Sequence, residues 1–344
     1  MSNIILAIET SCDETAASVF RDGCEVLSSI VSSQIDIHKK FGGVVPELAS
    51  RKHVESIMLI IDDAIQSAEI RHSDLNAIAV TNGPGLIGSL LVGLSAAKAF
   101  AFSLGIPLIA VDHIEAHAFS GSLEHVMVYP YISLVVSGGH TSLFRVNSYK
   151  DLEVLGKTRD DAAGEAFDKA AKALGLSYPG GVQIDRLAKK GNRDKYKFPR
   201  PFLKSDSLDF SFSGIKTSLV NFLNKNNITD QEQLSDVCAS YQEAIVETLI
   251  EKTISAAILY NINHVSIAGG VASNSRIREY ASERLISENI NLFIPSAKYC
   301  TDNAAMIAAL GYQKYINNET SDMDLEVYST KRKKYVRGKG YSNN

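Results

Sequence analysis

His113 and His117 stand four residues apart in Asp112-His113-Ile114-Glu115-Ala116-His117-Ala118-Phe119-Ser120-Gly121. Two imidazoles at that spacing make half of a metal site. On a helix each residue turns the chain by about 100°, so the two rings return to one face roughly 40° apart. A third donor must come from elsewhere in the chain, and a carboxylate suits. Two ordinary helix histidines, one capping or in the core, are the plainer alternative. A protease reading fails on spacing. A zincin carries Glu directly after its first His, and an inverzincin carries it directly before the second. Here Glu115 falls midway, about 200° round from His113.

Three polar turns at strand ends could supply the remaining chemistry. Glu9-Thr10-Ser11-Cys12-Asp13-Glu14-Thr15 lies between the apolar runs Ile4–Ile8 and Ala16–Phe20. Its hydroxyls and backbone N–H groups can hold phosphate, and Asp13 and Glu14 can bind a cation or move a proton. A plain hairpin loop would look the same. Ser137-Gly138-Gly139-His140-Thr141 sits likewise between Tyr131–Val136 and Ser142–Val146. The likeness in form points to a duplicated fold with one phosphate-facing loop per domain. The third turn, Gly269-Gly270-Val271-Ala272-Ser273-Asn274, joins the strand His264–Ala268 to a helix and makes a nucleotide or carboxylate cradle. Asp302, in Thr301-Asp302-Asn303, is either a helix N-cap or the best third ligand for the histidine pair.

The elements that must position these groups are legible from periodicity. A turn at Gly42-Gly43-Val44-Val45-Pro46-Glu47 opens a helix to about Ile70, with His53, Ile57, Ile60, Ile61 and Ala64 recurring at helical spacing. Glu47, Ser50, Arg51 and His53 could border a cleft. A helix over Gln231–Leu259 puts Val237, Tyr241, Ala244, Ile245 and Leu249 on one face. Tyr178-Pro179-Gly180-Gly181 reads as a turn, with the next helix starting at Ile184. Gly83-Pro84-Gly85-Leu86-Ile87-Gly88 is a literal G-x-G-x-x-G between strand and helix. Pro84 removes a backbone donor there, so close packing of helix on sheet is the favoured reading over a dinucleotide site. Gly156-Lys157-Thr158 lacks the preceding glycine of a P-loop. Around Phe198, Phe212 and Lys216, buried aromatics with exposed cations are commoner than a nucleic-acid surface.

The chain has 344 residues, enough for two domains. A net charge of −4 gives no global basic field for a polyanion. The four scattered cysteines argue against a disulfide framework or a thiolate zinc site. The stretch Leu75–Ala97 is broken by Asn82-Gly83-Pro84-Gly85, so no membrane span is expected, and no signal peptide is seen. A reducing cytoplasm fits best. A basic tail at 331–344 is either a frayed end or an arm that contacts RNA.

Taken together, the segments resemble the universal tRNA N6-adenosine threonylcarbamoyltransferase family, bacterial TsaD type, formerly labelled O-sialoglycoprotein endopeptidases. The matching motifs are Ile8–Thr15, His113–His117, Val136–Thr141, Gly164-Glu165-Ala166-Phe167-Asp168-Lys169, Tyr178–Gly181, Phe212-Ser213-Gly214-Ile215-Lys216-Thr217, Gly269–Asn274 and Thr301–Asn303. They run in the family's order over nearly the whole chain. The resemblance implies an α/β, actin/Hsp70-like (ASKHA) fold, two ribonuclease-H-like domains around a central cleft. The lobes are expected at 1–112 with about 308–330, and at 113–307 with a helical insertion at about 150–235. It implies an acyltransferase-type enzyme of tRNA processing. The threonylcarbamoyl group of L-threonylcarbamoyl-adenylate would pass to N6 of adenosine 37, just 3′ of the anticodon, in tRNAs reading codons that begin with A. The products are t6A and AMP.

By the family pattern His113, His117 and Asp302 bind one divalent metal ion, Fe(2+) first and Zn(2+) second. Val135, Val136, Ser137, Gly138, Gly139, Asp168, Gly181, Asp185 and Asn274 line the adenylate site. The partners implied are a shorter TsaB-type paralogue, a TsaE-type P-loop ATPase and tRNA. Asp13, with Glu14 beside it, is the candidate catalytic base. The rivals are a metal-dependent peptidase, an actin-like small-molecule kinase and a non-catalytic scaffold. Glu115 is misplaced for the first, and kinases hold magnesium on oxygen ligands rather than on histidine.

Overall fold

The computed structural model describes residues 2–201, 203 and 206–330. The basic tail expected at 331–344 lies outside the described residues. Along the chain run the strands β1 (Ile4–Glu9), β2 (Glu14–Arg21), β3 (Glu25–Ser33), β4 (Ala77–Gly83), β5 (Leu108–Asp112), β6 (Tyr131–Val136), β7 (Thr141–Ser148), β8 (Asp151–Lys157), β9 (His264–Ala268) and β10 (Asn291–Phe293). The helices are α1 (Ile35–His38), α2 (Pro46–Ser67), α3 (Ile87–Leu104), α4 (His113–Phe119), α5 (Ala163–Ala173), α6 (Gly180–Ala188), α7 (Ser213–Lys225), α8 (Gln231–Leu259), α9 (Ser275–Ser287), α10 (Ala297–Cys300) and α11 (Ala304–Ile316).

Two compact units divide the chain. Among the described residues, one takes those up to Val126 together with 298–330, and the other takes Met127–Ala297. The first holds the sheet β3-β2-β1-β4-β5, the second the sheet β10-β9-β6-β7-β8. In each, the first three strands in sequence form an antiparallel meander and the next two pair in parallel. Thus β6 repeats the place of β1, β7 that of β2, and β9 that of β4. The duplication seen in the two strand–turn–strand motifs extends to the whole topology.

Every residue of β1 and of β6 is buried. Both strands are apolar except for Glu9 and Ser133, because layers cover both faces of a central strand. In the first unit Leu6, Ile8, Ala17 and Val19 pack with Ile57, Ile61 and Ala64 of α2 and Leu94 and Ala97 of α3. On the other face α11 packs on the sheet, and a Cβ on Gly311 would fall 2.6 Å from that of Ala79. Pro46 begins α2, where its missing N–H costs nothing, and Gly105 ends α3 in the left-handed conformation.

The structure differs from the sequence reading at four places. The lobe boundary expected between Asp112 and His113 would part α4 from β5. The first unit instead keeps α4, because Asp112 caps it and α11 packs on it. A return near 308 would cut α11 in the middle, and the unit resumes at Lys298. The helical insertion expected from about 150 begins with a sheet strand, β8, paired to β7. Like β3, β8 is an edge strand with few buried positions, so its apolar signal is weak. Finally, α6 starts at Gly180, so Gly181 lies in a first helical turn rather than in the loop.

Candidate functional site

The first unit brings His113, His117 and Asp302 together. One ligand atom from each lies within 4.8 Å of the others. His117 Nε2 is 2.9 Å from Asp302 Oδ1, and His113 Nε2 is 3.6 Å from the same oxygen. The two rings stand edge to face, with centroids 4.7 Å apart. Helix α4 is buried at all seven positions, Glu115 included, so the face opposite the histidines is core rather than solvent. Asp302 is not the N-cap of α11. Asn303 fills that place, accepting from the Met306 N–H at 3.0 Å. The cap and the candidate ligand are therefore adjacent residues with separate tasks.

Glu9 holds His113 from behind. Its Oε2 accepts from His113 Nδ1 at 3.0 Å and from the Thr81 hydroxyl at 2.5 Å, while Oε1 accepts from the Ser11 N–H at 2.5 Å. An imidazole fixed through Nδ1 presents Nε2 to a cation, the carboxylate–histidine arrangement of many metal sites. Glu9 is fully buried. Burial opposes its charge, yet the His113 imidazolium outweighs this and lowers its pKa. Burial likewise depresses His113, but Glu9 and Asp302 lift it to about 9. Two imidazoles and one carboxylate suit iron or zinc, so the donor set present fits a divalent ion. Sequence reading gave Glu9 no role of its own. The signal available was an acid ending a run of buried apolar residues.

The turn that follows Glu9 is braced by a histidine. His53 donates from Nε2 to the Cys12 carbonyl at 2.9 Å, so Nδ1 accepts from the Thr15 hydroxyl at 2.8 Å. Burial keeps His53 neutral by lowering its pKa, which suits that tautomer. Asp13 is buried, and its carbonyl accepts from the Gln34 N–H at 3.0 Å. Glu14 is pushed well above the ordinary carboxylate range, first by burial and then by the Asp302 and Asp13 charges. Gly85 of the G-x-G-x-x-G stretch, and Gly93 beyond it in α3, serve close packing on this turn. A Cβ on Gly85 would lie 2.5 Å from the Ser11 carbonyl oxygen, and one on Gly93 would collide with the Thr10 hydroxyl. Asp112, which a dinucleotide reading would place on a ribose, caps α4 through bonds from Ile114 and Glu115 at 2.9 and 3.0 Å.

The other nine candidates lie in the second unit, on β6 and the turn after it, on α5 and α6, and at the start of α9. Val135 and Val136 are buried in the strand. Ser137 donates its N–H to the His140 carbonyl at 2.8 Å, and its hydroxyl accepts from the His140 N–H at 3.1 Å. Nothing stands within 4 Å of a Cβ placed on Gly138 or Gly139, so that backbone faces open space. Helix α5 comes so close behind that a Cβ on Gly164 would lie 2.6 Å from the Ser137 carbonyl oxygen. Asp168 accepts from the Gly180 N–H at 2.7 Å at the start of α6, the helix that carries Gly181 and Asp185. Asp185 accepts from the Ser275 hydroxyl at 2.7 Å, tying α6 to α9. Asn274 caps α9 and donates to Gln242 Oε1 at 2.7 Å. Phe198, Phe210 and Phe212 are core residues, not an exposed stacking surface.

The family model described as TsaD, tRNA N6-adenosine threonylcarbamoyltransferase, matches residues 25–309. The tRNA N6-adenosine threonylcarbamoyltransferase of Clostridioides difficile (strain 630) is 54% identical over 330 residues, 95% of this chain and 98% of that protein. The protein of the same name from Caldicellulosiruptor saccharolyticus is 51% identical over 335 residues, 97% of this chain and 98% of the relative. Among solved structures, full-length HypF in its phosphate- and nucleotide-bound form has a TM-score of 0.63 at 14% identity, with 93% of this chain and 56% of that one covered. The (R)-2-hydroxyglutaryl-CoA dehydratase component A of Acidaminococcus fermentans has a TM-score of 0.54 at 16% identity, with 92% and 99% covered. These two likenesses show the fold alone, which is actin/Hsp70-like. On the family model and on relatives more than half identical along nearly its whole length, the chain belongs to the tRNA N6-adenosine threonylcarbamoyltransferase family.

Proposed function

We propose that this protein transfers the threonylcarbamoyl group of L-threonylcarbamoyl-adenylate to N6 of adenosine 37 in tRNA, releasing AMP. The observation that carries this reading is its 54% identity to a named transferase over 95% of the chain. The geometry supports the same chemistry. The exocyclic amine of adenine is a poor nucleophile, so it must be positioned and relieved of a proton as it attacks the carbamoyl carbon. Its lone pair forms the new C–N bond, the carbon–oxygen bond to the phosphate breaks, and the electrons leave with AMP.

Asp13 is the group we assign to accept the N6 proton. Glu14, whose pKa is raised by burial and by its acidic neighbours, hydrogen-bonds toward Asp13. The open backbone at Gly138 and Gly139 supports close approach of the adenylate. Asp168 of α5, Gly181 and Asp185 of α6, and Asn274 at the start of α9 are the other residues this reading assigns to the adenylate. His113, His117 and Asp302 would hold a divalent ion, Fe(2+) ahead of Zn(2+), and such an ion would supply Lewis-acid polarisation of a substrate oxygen.

A TsaB-type paralogue and a TsaE-type P-loop ATPase are the protein partners this reading takes from the family resemblance. The compartment is the cytoplasm, where tRNA is modified. Among the described residues α3 alone is long and apolar enough to cross a membrane, and its Leu90, Leu94 and Ala97 are buried in the first unit. The testing experiment is single-turnover transfer with labelled threonylcarbamoyl-adenylate, unmodified tRNA, both partners and bound metal. Label on N6 of adenosine supports the transferase, and none overturns it.

A further inference from the structure

The chain after α11 returns along the edge of the first sheet. Ser321 donates its N–H to the Leu108 carbonyl at 2.8 Å, and its hydroxyl accepts from the Ala110 N–H at 3.1 Å. Lys98 Nζ donates to the Leu325 carbonyl at 2.6 Å, and the Tyr328 N–H donates to the Asn82 carbonyl at 3.0 Å. Covering β5 protects an edge strand, which accounts for the segment's backbone bonds. It does not account for where the segment sends the Tyr328 side chain. That hydroxyl is 2.6 Å from Asp112 Oδ2 and 3.0 Å from the Gly83 carbonyl oxygen. A Cβ on Gly83 would stand 2.8 Å from the tyrosine ring, so a glycine there admits the side chain.

Asp112 thereby has both carboxylate oxygens engaged. Oδ1 caps α4 through the N–H groups of Ile114 and Glu115, and Oδ2 takes the tyrosine hydroxyl. A cap held on one oxygen can swing about its side-chain torsion, whereas a cap held on both cannot. Helix α4 has only seven residues, and His113 follows Asp112 directly. In so short a helix the cap sets the direction of both imidazoles.

We infer that Tyr328 is a positioning residue for the metal helix, fixing through Asp112 the direction in which α4 presents His113 and His117. The inference rests on the reading of His113, His117 and Asp302 as metal donors. The test is a Co(2+) titration of the full chain, followed by visible absorption, for the wild type, Tyr328→Phe and Lys98→Met. Substituting groups directly behind metal ligands costs about 10–100-fold in affinity. Tyr328 acts one bond further out, so Tyr328→Phe is expected to bind Co(2+) about 3–10-fold more weakly, with an altered ligand-field spectrum. Lys98→Met removes another anchor of the same segment and should leave affinity and spectrum as in the wild type.

Wild-type affinity and spectrum in Tyr328→Phe would overturn the inference while leaving the metal reading intact. Equal weakening by Lys98→Met would also overturn it, since the effect would then belong to the segment's stability. A wild-type protein that takes up no Co(2+) would overturn the metal reading and the inference with it. Should Tyr328→Phe not fold, Asp112→Ser reads the same contact from the other side. It keeps a capping oxygen and has no second oxygen for the tyrosine, and the same weakening is expected.

Discussion

Glu9 and His113 are 104 residues apart in the chain and meet at 3.0 Å between Oε2 and Nδ1. The bond fixes which imidazole nitrogen faces Asp302. Replacing Glu9 by Gln keeps the shape and removes the charge. We expect metal affinity to fall by about 10–100-fold. Metal content after dialysis against a weak chelator checks this, and full occupancy in Glu9→Gln would remove Glu9 from the site.

The same pair sets a pH dependence in the metal-free protein. The His113 pKa rises in the folded state from 6.5 to about 9. A raised pKa means that the folded state binds the proton more tightly than the unfolded one. The stabilisation is therefore full below pH 6.5 and is lost as the pH rises through about 9. Glu9 is shifted the other way, so its share is present above its ordinary value of 4.5 and is lost as the pH falls below it. Melting of chelated protein should drop between pH 6.5 and about 9, and Glu9→Gln should flatten that drop. Metal binding displaces the His113 proton, so affinity should rise over the same interval.

Asp13 and Glu14 are told apart by substitution. Asp13→Asn should slow single-turnover transfer by about 10²–10⁴-fold while binding of the adenylate is retained. Glu14→Gln keeps a neutral hydrogen-bonding group and should cost less. Unchanged transfer by Asp13→Asn would take Asp13 out of the mechanism.

Gly164 tests the turn at Ser137–Gly139. A methyl group there would sit 2.6 Å from the Ser137 carbonyl oxygen and 2.8 Å from the Gly138 Cα. Backbone cannot yield as a flexible side chain does. Gly164→Ala should cost about 1–3 kcal/mol of stability and weaken adenylate binding, read by melting and by calorimetry. Gly138→Ala meets open space and should leave stability unchanged.

Much of this protein is legible in its amino-acid sequence. The buried runs of β1, β4, β6 and β9 and the long helix α8 follow from apolar pattern alone, because a strand or helix covered on both sides has no polar period to hide. The spacing of His113 and His117 by itself puts two imidazoles on one face. Other features depend on partners distant in sequence. The edge strands β3 and β8 are half exposed, so their apolar pattern is thin, and pairing with β2 and β7 defines them. Asp302 reads equally well as a cap and as a ligand in the sequence, and the fold separates the two because Asn303 caps α11. Tyr328 carries no local signal, and the roles of Glu9 and His53 came only with the fold, since a buried polar group acquires its meaning from the group it satisfies. Local periodicity thus determined most of the elements and half of the candidate metal site. The tertiary fold alone decided the candidate third ligand, the carboxylate behind His113 and the tyrosine on the cap of α4, because each is a contact between segments roughly a hundred or more residues apart.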